Sequence, residues 1–124
     1  MADITAICVF CGSADGHDTV HRDAAVRLGT ILAEAGVRLV FGGGRAGMMG
    51  AMADAALAAD GEVAGVIPGY LVEREHAHPD ATEMHVVDSM HSRKSKMFEL
   101  ADGFAILPGG IGTLDETFEP TFPR

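Results

Sequence analysis

The chain has 124 residues, with 9 basic and 18 acidic side chains, a formal net charge of −9 and a pI near 4.9. That length fits one domain able to bury roughly two-thirds of its unfolded surface, and 48% hydrophobic against 22% charged residues excludes a solvating, disordered tail. The acidic balance argues against a nucleic-acid backbone or an anionic membrane as partner, no run reaches the roughly 18 apolar residues of a membrane span, and Met1-Ala2-Asp3 lacks the basic start of a secretory signal, so a cytoplasmic location is expected.

Residues 5–10 form a continuous apolar run that reads as a strand. Cys8 and Cys11 make a CxxC at its end. Three extended steps separate their Cα atoms by about 10 Å, beyond the roughly 7 Å reach of a disulfide, so they read as two small buried residues. A lone CxxC is also only half of a structural zinc site. The spacing predicts a helix over 18–35, with Val20, Ala24, Leu28, Ile31 and Ala35 on its apolar side and Gly36 as the left-handed residue that ends it. A second strand is expected over 37–41, a tight glycine loop over 42–44, and an alanine- and methionine-rich helix over 47–60 closed by Gly61. A third strand follows over 62–67, stopped by Pro68-Gly69.

Residues 70–82 show no period and carry Glu73, Arg74, Glu75, His76 and His78; they read as a surface loop with a short helical turn. Strands over 84–87 and 103–107 flank a helix over 89–101, and a last glycine loop, 108–112, opens a further helix over 113–119. Short strands that are apolar on both sides and alternate with helices specify a parallel sheet covered on both faces. The expected fold class is α/β, a doubly wound, Rossmann-like sheet in one domain, with ligands outside the carboxyl ends of the strands. Three glycine turns fall at that end: around Ser13, around Gly43 and Gly44, and over 108–113.

The stretch from Gly42 to Gly47 fits GxGxxG between a strand and a helix, a setting that suits a phosphate turn. It follows the second strand rather than the first, and Glu62 begins the next strand instead of ending it, which disfavours NAD. Glycines needed only for a tight turn and close helix packing explain it equally well. In Pro108-Gly109-Gly110-Ile111-Gly112-Thr113-Leu114-Asp115-Glu116, three glycines open a helix after a buried strand. The backbone amides of Gly110, Gly112 and Thr113, with the Thr113 hydroxyl, suit a monophosphate. The absence of a following lysine excludes a Walker loop. Thr113 and Glu116 are also spaced as a capping box, which by itself accounts for Glu116.

In the predicted helix over 89–101, positions 90, 93, 94, 97 and 101 share one face. Met90, Met97 and Ala101 mark it as buried, yet Arg93 and Lys94 lie on it. Two cations on an apolar face either extend to solvent or meet an anion, and a cationic wall beside a phosphate site explains their placement. His76 and His78 make an H-x-H without a third ligand, so no metal site is expected, and no Ser–His–Asp signature is present.

SMHSRK followed by PGGIGTLDE, with CVFCGS and VFGGGRAGMMG upstream, resembles the Lonely-Guy family of cytokinin riboside 5′-monophosphate phosphoribohydrolases, many once labelled lysine decarboxylase-like. The similarity spans nearly all of residues 5–119. It implies a Rossmann-like fold, a homodimer with active sites near the subunit interface, and hydrolysis of the N-glycosidic bond between an adenine-type base and ribose 5-phosphate. By matching positions, Arg93 and Glu116 correspond to the catalytic pair, and Lys94, Gly109, Gly110, Gly112 and Thr113 to substrate-binding residues. Glu75 fits the glutamate of the family's P-x-x-L-x-x-x-E stretch, and Ser13, Gly43, Gly44 and Met90 join the expected substrate-binding set. No cofactor is implied, and no lysine has a pyridoxal phosphate setting that supports the old decarboxylase label.

The resemblance also implies a tryptophan-bearing helical segment, further strands and a closing helix beyond Glu119. This chain has no Trp and ends at Arg124, so it reads as lacking that segment, which would leave the fifth strand at a sheet edge. The implied mechanism anchors the 5′-phosphate through the glycine loop and Lys94 and passes through an oxocarbenium-like sugar. Glu116 orients or deprotonates the water, and Arg93 holds the ribose or Glu116. The base is expected in an apolar pocket lined by methionines around Met48 and Met90. The alternative is a non-catalytic nucleotide- or cofactor-binding module, as in molybdenum-cofactor carriers with a PGGxGT loop.

Overall fold

The computed structural model describes residues 4–11, 19–45 and 47–107. Among them, five strands form one sheet: β1 (Ala6–Phe10), β2 (Arg38–Phe41), β3 (Val63–Pro68), β4 (Glu83–Val87) and β5 (Gly103–Ile106). The helices are α1 (Thr19–Glu34), α2 (Gly47–Ala58) and α3 (Met90–Leu100), with a 3-10 turn at Gly69–Leu71. The strand order is β4-β3-β2-β1-β5 and every neighbouring pair is parallel. The chain steps outward from β1 to β4 and then returns through α3 to place β5 against the other side of β1. The reversal of order therefore lies between β1 and β5, the switch point at which open α/β sheets bind ligands.

Two-residue alternation divides the core between the two faces. Val9, Leu39, Phe41 and Val63 pack with Ala25 and Leu32 of α1 and with Met48, Met49 and Met52 of α2. Ala6, Cys8, Phe10, Val40, Ala64 and Val66 pack with Met97 of α3. The fold is thus doubly wound, as expected. The same alternation disposes of the CxxC: Cys8 belongs to the α3 layer and Cys11 to the α1–α2 layer, and both are buried and free of a disulfide.

The inward face of α1 differs from the expected one. Ala25, Gly29 and Leu32 are buried, whereas Ala24 and Ala35 are exposed and Ile31 is 53% exposed. The helix is turned toward its smallest residues because it packs against α2 and not only on the sheet. A Cβ built on Gly29 would lie 2.3 Å from the Met52 carbonyl oxygen, so glycine lets the two backbones meet. Gly36 does end the helix, at φ 72°, with Gly36 N–H bonded to Ala33 O and Val37 N–H to Leu32 O, a Schellman pair. At the end of α2 the left-handed residue is Asp60 (φ 62°), not Gly61; the amide of Gly61 closes the motif on Ala56 O.

β5 is an edge of the described sheet, with Phe104 and Ile106 each 45% exposed. Among the described residues, no helix is long and apolar enough to cross a membrane.

Candidate active site at the carboxyl ends of β2 and β3

α3 begins sharply. Ser89 caps it by accepting the Ser92 amide at 3.0 Å, and the Ser92 hydroxyl donates to Asp88 at 2.5 Å. That hydroxyl bond is the main reason the Asp88 carboxyl is held below the ordinary aspartate range, against a smaller opposing effect of desolvation. The cap fixes the first turn of α3 and with it the direction of Arg93.

Arg93 is only 4% exposed and is enclosed by acceptors. Its Nε donates to Val66 O of β3 at 3.0 Å, and its Nη2 donates both to Gly42 O, just past β2, and to Glu75 Oε1 at 2.8 Å. Nη1 meets the Met90 sulfur at 3.6 Å. The guanidinium is therefore neither a solvated surface group nor a free phosphate clamp: it meets an anion supplied by its own chain. Four anchored contacts suit the rigid fork of arginine, which lysine does not share. Glu75 is half-buried, its side chain 22% exposed.

The loop after β2 is shaped around this arginine. A Cβ on Gly42 would fall 2.7 Å from Arg93 Nη2, so a side chain there would displace the guanidinium. Gly43 has φ 84°, a conformation that favours glycine. The Gly44 amide is directed at Met49 Sδ, 3.2 Å away, and not outward. In the described residues Gly42 gives close approach to Arg93 and Gly43 the turn geometry.

The segment after β3, expected at the surface, is partly built into the core: Leu71 and His78 are buried. It is stitched to the glycine loop by Arg45 N–H on His76 O at 2.8 Å, by His78 N–H on Gly43 O at 2.8 Å and by a Gly44–Ala77 bridge. An aperiodic sequence hid this because the burial comes from pairing with another loop. Sequence reasoning missed His78 as a contributor, having read it with His76 as a failed metal motif. The available signal was Asp54, its partner and the one charged residue of the α2 sequence.

Of the expected site residues, Glu75, Arg93, Met90 and Gly42's neighbours Gly43 and Gly44 are brought to one region. Lys94 follows Arg93 on α3 and is half-buried. Ser13, Gly109, Gly110, Gly112, Thr113 and Glu116 lie outside the described residues. Leu107, the last described residue, donates to Phe10 O at 2.9 Å, so the chain leaves β5 beside the carboxyl end of β1. Of the methionines expected to line a base pocket, Met48 is 1% exposed within the α1–α2 core, because a helix between the sheet and another helix buries nearly every side, whereas Met49 lies against the glycine loop with its sulfur 3.2 Å from the Gly44 amide. Among the described residues no three His, Cys, Asp or Glu side chains gather as metal ligands.

A cavity of about 490 Å³ opens at the opposite, amino end of the sheet, bordered by Thr5, Gly36, Arg38, Asp60, Glu62 and Leu100. Its one cation, Arg38, is already paired with Glu62 and Glu83, both at 2.9 Å. It lacks the buried, convergent groups found around Arg93.

The described architecture is that of a Rossmann-like α/β protein with a buried arginine–glutamate pair at the ligand-binding end of its sheet. Residues 49–121 match the family model described as possible lysine decarboxylase. The chain belongs to this family, the Lonely-Guy group that its motifs resemble. It is 47% identical over 115 residues to a cytokinin riboside 5′-monophosphate phosphoribohydrolase of Rhodococcoides fascians, covering 92% of this chain and 58% of that protein. A rice (Oryza sativa subsp. japonica) protein of the same name is 47% identical, covering 91% of this chain and 47% of its own length. The corresponding Arabidopsis thaliana protein is 44% identical, covering 91% and 53%. The chain thus spans about half the length of the curated relatives it matches. Among solved structures, the molybdenum cofactor carrier protein of Chlamydomonas reinhardtii superposes with TM-score 0.78 at 22% identity, over 93% of this chain and 69% of that one. The molybdenum cofactor binding protein of Rippkaea orientalis gives 0.75 at 23%, over 94% and 70%. At those identities the likeness concerns the fold alone.

Proposed function

We propose that this chain carries the nucleotide site of a phosphoribohydrolase that cleaves the N-glycosidic bond of cytokinin riboside 5′-monophosphate, or of AMP, to free base and ribose 5-phosphate. The observation that carries this reading is the buried Arg93–Glu75 pair at the carboxyl ends of β2 and β3, in a chain whose named relatives are phosphoribohydrolases. Lys94 and the amides of Gly109, Gly110, Gly112 and Thr113 hold the 5′-phosphate, which confines the ribose. Glu75, Met90 and Ser13 complete the substrate contacts, and Gly43 and Gly44 contribute by shape. Water attacks C1′ as the bond to the base nitrogen breaks and its electron pair leaves with the base. Glu116 takes a proton from the water, and that proton ends on the departing base, which leaves the carboxylate regenerated. Arg93 holds the Glu75 carboxylate, whose negative charge suits the electron-poor sugar. A homodimer in the cytoplasm, with its active sites near the subunit interface, belongs to the same proposal.

The test is to incubate the purified chain with isopentenyladenosine monophosphate and with AMP and to assay free base and ribose 5-phosphate. Glu116→Gln keeps size and hydrogen bonding but loses the basic carboxylate, and turnover is expected to fall at least ~10²-fold. Parental turnover in that variant overturns the assignment of Glu116. Tight nucleotide binding with no base released favours the non-catalytic module, which otherwise rests on fold likeness.

A further inference from the structure

We infer that His78, tied to Asp54 of α2, is a positioning residue that fixes Glu75 against Arg93; this rests on the function proposed above. The imidazole is buried, with a side chain only 1% exposed, in a segment otherwise rich in surface residues. Its Nδ1 accepts the Asp80 amide at 3.2 Å, which leaves the ring proton on Nε2, and Nε2 donates to Asp54 Oδ1 at 2.6 Å. Its edge packs against Phe41, ring centroids 6.5 Å apart, and its own amide donates to Gly43 O. One side chain thus joins three pieces: α2, the glycine loop and the segment that carries Glu75 three residues earlier.

The route from this strap to the pair is short. His76 has φ 53°, a left-handed turn unusual for a non-glycine residue, and the Arg45 amide spans the Glu75 and His76 carbonyls at 3.1 and 2.8 Å. With 77 bridged to 44 and 78 anchored through its ring, the 75–78 turn has little freedom, and the Glu75 carboxylate stays where Arg93 Nη2 meets it. The ring touches neither Arg93 nor Glu75 in any hydrogen bond, so its effect is indirect.

Asp54 offers the clean probe, because its side chain is 60% exposed and alanine is the stronger helix former. Asp54→Ala is expected to lower kcat about tenfold with KM changed less than about twofold, as small misplacements of positioned groups do. Asp54→Asn retains an acceptor for Nε2–H and is expected to restore activity to within about twofold of the parent. Independently of turnover, the ¹⁵N-correlated Arg93 Nε–H resonance should shift in Asp54→Ala and return in Asp54→Asn, while β1 amides stay in place. An unmoved Arg93 resonance overturns the proposal, and so does parental kcat in Asp54→Ala when the parent is active. If the parent cleaves neither nucleotide, the functional reading falls, and the Arg93 resonance alone decides the strap.

Discussion

At the carboxyl end of the sheet Arg93 is 4% exposed and bonded to two carbonyls and a carboxylate; at the amino end Arg38 is 35% exposed on its side chain and pairs with two glutamates that are more exposed still. Both arginines tie strands together. Arg38 bridges the starts of β2, β3 and β4 through Glu62 and Glu83, and Arg93 bridges the ends of β2 and β3 from α3. What separates them is solvent. The amino-end network sits in water, where its Coulomb attraction is screened and its partners lose little if it breaks. The carboxyl-end cation has left water, and only its acceptors compensate it. An open cavity lies at the amino end, yet the desolvated, pre-oriented charge lies at the other. Buried charge held in one geometry, and not open volume, marks the end suited to chemistry.

That contrast can be broken in order of expected effect. Glu75→Ala leaves the Arg93 guanidinium buried without its counter-charge and should destabilise the chain by about 3 kcal/mol, read by urea unfolding. Arg93→Lys should not rescue the fold or ligand binding, because a single ammonium cannot satisfy acceptors arranged for a planar fork. Gly29→Ala tests the α1–α2 contact that supports both ends: its Cβ meets backbone, not a yielding side chain, so a loss of about 1–3 kcal/mol is expected. Arg38→Ala at the amino end should cost only about 0.2–1 kcal/mol per exposed pair, and raising the salt concentration should shrink that further. Near-equal losses for Glu75→Ala and Arg38→Ala would remove the distinction between the two ends.

The smallest effect is a pH dependence at the amino end. The Asp102 carboxyl is held below its usual 3.8, first by the Thr5 amide, then by the Thr5 hydroxyl and the Ala6 amide, with burial opposing weakly. A folded-state value below the unfolded one contributes stability above the unfolded pKa that disappears as pH falls through the folded pKa. Asp102→Asn should therefore be less stable than the parent near neutrality, with the gap closing as pH drops below about 4. A gap that widens in acid contradicts those bonds. The same sign applies to Asp88 at the start of α3.

Much of this was legible in the residues. Apolar runs of four to six residues separated by helical stretches are enough to specify a two-sided parallel sheet, and among the described residues the strand and helix positions follow within a residue or two, while the helix expected over 113–119 lies outside them. Arg93 stood out because a cation on the Met90–Met97 face needs an anion, and the motifs placed Glu75 in the same site. What was hidden depends on contacts between distant segments. The inward face of α1 follows from Gly29 meeting Met52, which no helical period reveals. Met48 was expected near a ligand, and α1 and the sheet bury it instead.

The local pattern alone determined the α/β class, the separation of Cys8 from Cys11, the end of α1 at Gly36 and the family to which the chain belongs, because each rests on spacing along the backbone. Only the tertiary structure decided that Arg93 pairs with Glu75 while its Nη2 also bonds Gly42 O, and that His78 is bound to Asp54. Those choices are made by removal from water: a buried charge or imidazole takes whatever partner the packed elements bring within reach, and that partner lies far away in sequence.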